Sequence, residues 1–69
     1  MNPIRKFFVE RKLLQRVNQE AGWVPSKPGG YLRLLRTDQE WRTQFIEDLY
    51  DLELPDLADD IDRHFSLYN

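Results

Sequence analysis

The chain has 69 residues and no cysteine, so it can form one small domain with a thin core, braced by neither a disulfide nor a thiolate zinc site. A cofactor cleft walled by a second layer is not expected at this length. The net charge of −2 conceals a split: residues 1–36 carry eight basic against two acidic side chains, +6, whereas residues 37–69 carry ten acidic against two basic, −8.

Asn2-Pro3 reads as an N-cap followed by proline at the first helical position, where the missing N–H is not needed. Ile4, Phe7, Phe8, Leu14, Val17 and Ala21 recur near helical spacing and Gly22 supplies a stop, which predicts a first helix over about 3–21. The segment GWVPSKPGG, residues 22–30, is too rich in proline and glycine for helix or strand. Its glycines lack the spacing and the Lys-Ser/Thr of a phosphate-binding loop. Trp23 and Val24 are too apolar for a free linker and are expected to fold back onto the core.

Tyr31, Leu32, Leu34 and Leu35 predict a short second helix ending near Arg36. Thr37-Asp38-Gln39-Glu40 has the form of a capping box, with Thr37 accepting from the Glu40 N–H and helix three starting at Asp38. Trp41, Phe45, Ile46, Leu49 and Tyr50 form the apolar stripe of that helix, with Trp41 expected to be buried against the first and last helices. Pro55 opens a fourth helix, with Asp56 and Asp59 near its positive end and Leu57, Ala58, Ile61, Phe65 and Tyr68 facing inward. No strand pattern competes. The expected fold is therefore all-α, a small four-helix bundle forming a single domain over residues 1–69.

The stretch DLADDIDRHF concentrates acids, but on a helix Asp59, Asp60 and Asp62 point about 100° apart per residue and do not converge on one ion. No metal site is expected. Asp59 lies four residues before Arg63, and Asp60 four before His64, so the stretch reads as a solvated face with local pairs. The one histidine, His64, has no nucleophile placed beside it by any motif, and neither catalytic residues nor a cofactor are expected. Trp23 and Tyr68 are candidate surface anchors for a partner. No apolar run approaches the roughly 18–20 residues of a membrane span, and MNPIRKFFVERK meets charge again at Glu10, too soon for a signal peptide. A cytoplasmic protein without membrane contact is expected.

The run YLRLLRTDQEWRTQFIEDLYDLELPDLADDIDRHF, residues 31–65, resembles the last three helices of caspase recruitment domains, members of the death-fold superfamily. The resemblance is carried by Leu32, Leu35, Trp41, Phe45, Ile46, Leu49, Leu57 and Ala58 and covers about half the chain. The family has two further helices at the N-terminal side that cannot be placed here. The resemblance implies a death-fold-like, non-catalytic adaptor whose partner is another protein, including further copies of itself, through basic and acidic patches. The charge split suits that mechanism, with a basic face around Arg5, Lys12 and Arg16 and an acidic face around Asp56, Asp59 and Asp60. The alternative is a small nucleic-acid-binding regulator whose basic first helix contacts phosphates. Against that stand the acidic half and a sequence pI near 5.2.

Overall fold

A computed structural model of the protein describes residues 3–23 and 31–66. Helix α1, Pro3–Arg16, runs into a π-helical turn, Val17–Ala21; α2 spans Leu32–Thr37, α3 Gln39–Asp51 and α4 Pro55–Ser66. All regular structure among the described residues is helical. The chain is thus the small all-α bundle of four helices that the punctuation predicts. Asn2, Val24, Lys27 and Tyr68 lie outside the described residues.

Both predicted proline starts hold, and the first helix stops at Gly22, whose φ of 72° is left-handed and whose N–H returns to the Asn18 carbonyl at 3.1 Å. Such a backbone costs glycine little because it has no Cβ to clash. The second join is tighter. Asp38 ends α2 by donating its N–H to Leu34 O at 2.9 Å, and starts α3 by accepting the Trp41 N–H on its carboxylate at 3.0 Å. The cap is therefore Asp38, one residue later than expected. Thr37 remains the last helical residue of α2 and turns its hydroxyl back onto Arg33 O at 2.7 Å.

Helix α3 closes through Glu53 N–H to Tyr50 O and Leu54 N–H to Leu49 O, each 3.0 Å. This pair of bonds is the Schellman motif, with Glu53 at φ 62° in the position glycine usually fills. Leu54, the residue after it, packs on the core. Arg42, 7% exposed, donates to Leu35 O at 2.8 Å and so satisfies one of the carbonyls left open at the end of α2.

The core comprises Leu13, Val17, Leu35, Phe45, Leu49, Leu57, Ala58, Ile61 and Phe65. Every inward residue predicted for α4 and described is buried, because all lie on one side of that helix. Three expectations fail, among them Tyr50, predicted in the α3 stripe but 46% exposed. Trp41 is only half-buried: it stacks on Phe45 at 5.2 Å and beside Tyr31 at 6.2 Å, at the edge of the core. Ile4, Phe7 and Phe8 are 67%, 51% and 57% exposed. At about 100° per residue they sit roughly a quarter to half a turn away from the line of Glu10, Leu13 and Val17 that faces the bundle.

Candidate interaction surfaces

Where α1 crosses α4, the sequence places a glutamate on the core line. The Glu10 side chain is fully buried and meets His64 Nε2 at 3.1 Å through Oε2, while the Arg36 guanidinium grips both carboxylate oxygens, with Nε 3.4 Å from Oε2. Burial alone would raise the Glu10 pKa; the hydrogen bonds and charge of Arg36 and His64 outweigh it, and the carboxyl is held below its ordinary value. One carboxylate thus ties α1 to α2 and α4. His64, expected on the solvated face beside Asp60, is instead 7% exposed and part of this buried network.

The acidic stretch of α4 disperses as its helical spacing predicts. Asp59 accepts the Tyr50 hydroxyl, a bond that pushes the Tyr50 pKa up. Asp60 takes Arg16 Nη1 at 2.7 Å, and Asp62 takes the Ser66 hydroxyl at 3.1 Å. The local pairs predicted for Asp59 with Arg63 and Asp60 with His64 give way to these contacts. Among the described residues no three acidic, histidine or cysteine side chains are grouped to hold a metal ion, and no helix is long and apolar enough to cross a membrane.

The predicted faces separate into an internal and an external part. Arg5, Lys12 and Arg16 do share one flank of α1, within an arc of about 40°. Arg16, however, is held by Asp60 and by Glu20 at 3.2 Å, bonds that raise its pKa, led by the one to Asp60. Arg5 and Lys12 are exposed, as are Asp56 and Asp59.

The contacts also fix direction. Glu10 meets His64 and Arg16 meets Asp60, so α1 and α4 run antiparallel. The N-terminal turns of α1 therefore lie at the end of the bundle where α4 finishes, and the α3–α4 corner lies at the other. At 1.5 Å per residue, Ile4 and Asp56 are about 20 Å apart along the axis, within a body measuring 32 × 22 × 20 Å.

Each end exposes apolar side chains inside charge of a single sign. At the first, Phe7 and Phe8, in edge contact at 6.2 Å, and Ile4 have Arg5 among them in sequence, with Arg11 and Lys12 one turn further along α1. At the second, Tyr50 and Leu52, 46% and 48% exposed, sit among Asp51, Glu53, Asp56 and Asp59. Sequence reasoning found the charges but missed these apolar centres, having assigned Ile4, Phe7, Phe8 and Tyr50 to the core.

A third feature is an open concavity of about 450 Å³ lined by Gly22, Trp23, Tyr31, Trp41, Phe45 and Asp48. Trp23 folds back as expected, its ring edge-on to Phe45 at 5.0 Å, and its carbonyl accepts the Tyr31 hydroxyl at 3.2 Å. Burial pushes the Tyr31 pKa up.

The fold and surface thus define a small helical domain with a buried ionic tie and two poles of opposite charge. Comparison with family models, curated proteins and solved structures finds no match.

Proposed function

We propose that this chain is a non-catalytic protein-interaction module that associates head-to-tail with further copies of itself. The observation that carries the reading is the pair of poles: apolar side chains amid cations at one end of the bundle, and apolar side chains amid carboxylates at the other. A contact between two different patches of the same molecule is heterologous, so it closes into rings or propagates into filaments. The resemblance of residues 31–65 to caspase recruitment domains, whose members join through basic and acidic patches, supports the same mechanism. The nucleic-acid alternative draws less support, because Arg16 and Arg36 already face the carboxylates of Asp60 and Glu10.

The test is mass by light scattering over a concentration series at low salt, for the wild type, Lys12→Glu, Asp56→Lys and the two variants mixed. Lys12 and Asp56 are exposed, whereas Arg16 and Asp60 are bound to each other and would confound folding with assembly. Association with rising concentration, lost in each variant alone and regained in the mixture, is the expected result. A wild-type monomer at every concentration would overturn the proposal.

A further inference from the structure

Residues Trp41, Phe45 and Asp48 follow one another at i, i+4 and i+7, so they stand in a row on one side of α3. Against that row pack Trp23, just past the Gly22 stop, with its ring 5.0 Å from Phe45, and Tyr31, just before α2, with its ring 5.1 Å from Phe45, the two joined by the bond from the Tyr31 hydroxyl to the Trp23 carbonyl. Gly22 lines the rim and would have open space even for a Cβ. The result is a concavity of about 450 Å³ with aromatic walls, within the roughly 300–1,000 Å³ of small-ligand sites. Among the described residues that line it, one is ionised, Asp48. Among the described residues, Asp48 accepts the Gln44 side-chain amide at 2.9 Å and meets no cation.

Phe45 is buried beneath the other rings, so the surface offered to a ligand is that of the half-buried Trp23, Tyr31 and Trp41. Aromatic faces present negative electrostatic potential, and a carboxylate beside them adds a full charge. The matching ligand is a cation with an apolar skin. A primary ammonium is compact, strongly hydrated and served equally well by any exposed carboxylate. A fully methylated ammonium cannot donate hydrogen bonds and loses less on leaving water, so it gains from ring faces what a carboxylate alone does not give. The contents of this concavity are independent of the two poles and of the self-association reading.

We infer that the Trp23–Tyr31–Trp41–Phe45 concavity, with Asp48 at its edge, binds a methylated ammonium group. The same chemistry reaches a protein as choline or as trimethyl-lysine on a polypeptide, and the experiment uses both. The intact chain is titrated with choline, with the uncharged tert-butyl analogue of choline, and with a short trimethyl-lysine peptide alongside its unmodified form. Tryptophan fluorescence and the NMR shifts of the two indole N–H groups are followed.

The expected result is a saturable change with choline or the modified peptide, about tenfold weaker for the neutral analogue or the unmodified peptide, and a similar loss in Asp48→Asn. That variant keeps the shape of the side chain, and an unchanged melting temperature establishes that it folds. Saturation by the modified peptide alone assigns the site to a methylated polypeptide, and saturation by choline alone to a small molecule. Equal binding of the neutral analogue, or no saturable response to either cation, overturns the inference. The comparison of ligands needs no variant, so the inference remains testable even if Asp48→Asn fails to fold.

Discussion

Replacing Glu10 tests the central tie of the bundle. A domain of 69 residues has a total stability of about 3–10 kcal/mol at the usual per-residue values. Glu10→Ala leaves His64 buried without its carboxylate, although the half-exposed Arg36 can turn to water. Breaking a buried pair in this way costs about 3–5 kcal/mol, and the variant is expected to be largely unfolded. Glu10→Gln is the informative change, because it preserves volume and keeps one oxygen acceptor while setting an amide N–H₂ against donors. Leaving one buried partner unsatisfied costs about 1–3 kcal/mol. For a domain of this size, 2 kcal/mol corresponds to a fall in melting temperature of about 8–16 °C.

The pH dependence supplies the sharper check. Glu10 titrates below its ordinary value of 4.5 in the folded protein, so the unfolded chain binds its proton more readily. Its contribution is therefore present above about pH 4.5 and lost as pH falls through the native value. Glutamine has no proton to bind, so the stability gap between wild type and Glu10→Gln should narrow below about pH 4.5. Chemical denaturation monitored by circular dichroism from pH 7 to 3 measures that gap. Curves that stay parallel, or a variant as stable as wild type at neutral pH, would refute the buried tie.

The two candidate caps separate cleanly: Asp38→Ala should cost about 1 kcal/mol by denaturant melts, while Thr37→Ala, which removes only a hydroxyl bonded back onto its own helix, should cost much less. Glu53→Gly should raise stability by about 1 kcal/mol, because glycine takes the left-handed φ without the Cβ penalty and this outweighs its greater freedom when unfolded. Equal or lower stability would show that the α3–α4 corner does not strain its glutamate. Phe65→Ala, at 2% exposure, should cost about 3–5 kcal/mol, and Trp41→Ala, half-buried, clearly less in the same assay.

The helices were legible because their boundaries are written in residues with one backbone meaning: Pro3 and Pro55 at starts, Gly22 at a stop. Helix α4 was legible in its apolar face, since Leu57, Ala58, Ile61 and Phe65 fall on one side with acids opposite, but His64, placed with the solvated acids, is buried against Glu10. The cap of α3 was ambiguous by one residue because Thr37 and Asp38 are both competent; the choice depends on whether α2 keeps Thr37 helical, which its bond to Arg33 O favours. In α1, apolar residues at roughly helical intervals resemble one stripe, although their angles put Ile4, Phe7 and Phe8 on a different face from Leu13 and Val17. The same wheel holds the missed signal for Glu10, an acid three residues before Leu13 and seven before Val17. Its need for a buried partner was readable, but not which one, since Arg36 and His64 are 26 and 54 residues away.

The charge split of the sequence can be satisfied inside one molecule or between molecules, and the antiparallel register of α1 and α4 decides where each happens. Where the helices overlap, folding uses the charges: Arg16 meets Asp60, and Glu10 meets Arg36 and His64. Outside those bonds, Arg5, Arg11 and Lys12 along α1 and Asp51, Glu53 and Asp56 at the α3–α4 corner stay exposed. Stability and association should then respond to different residues. Arg16→Glu faces Asp60 with a like charge and should lower the melting temperature, though by no more than about 1 kcal/mol for so exposed a pair. Lys12→Glu should leave the melting temperature of dilute protein unchanged while abolishing the concentration-dependent mass. Raising salt from low values past about 0.15 M, where the screening length is roughly 8 Å, should dissociate the poles before it unfolds the bundle, because the Glu10 tie is shielded from solvent and the poles are not. If both variants shifted stability and mass together, the internal and external charges would belong to one network, and the assignment of the poles to association would fall.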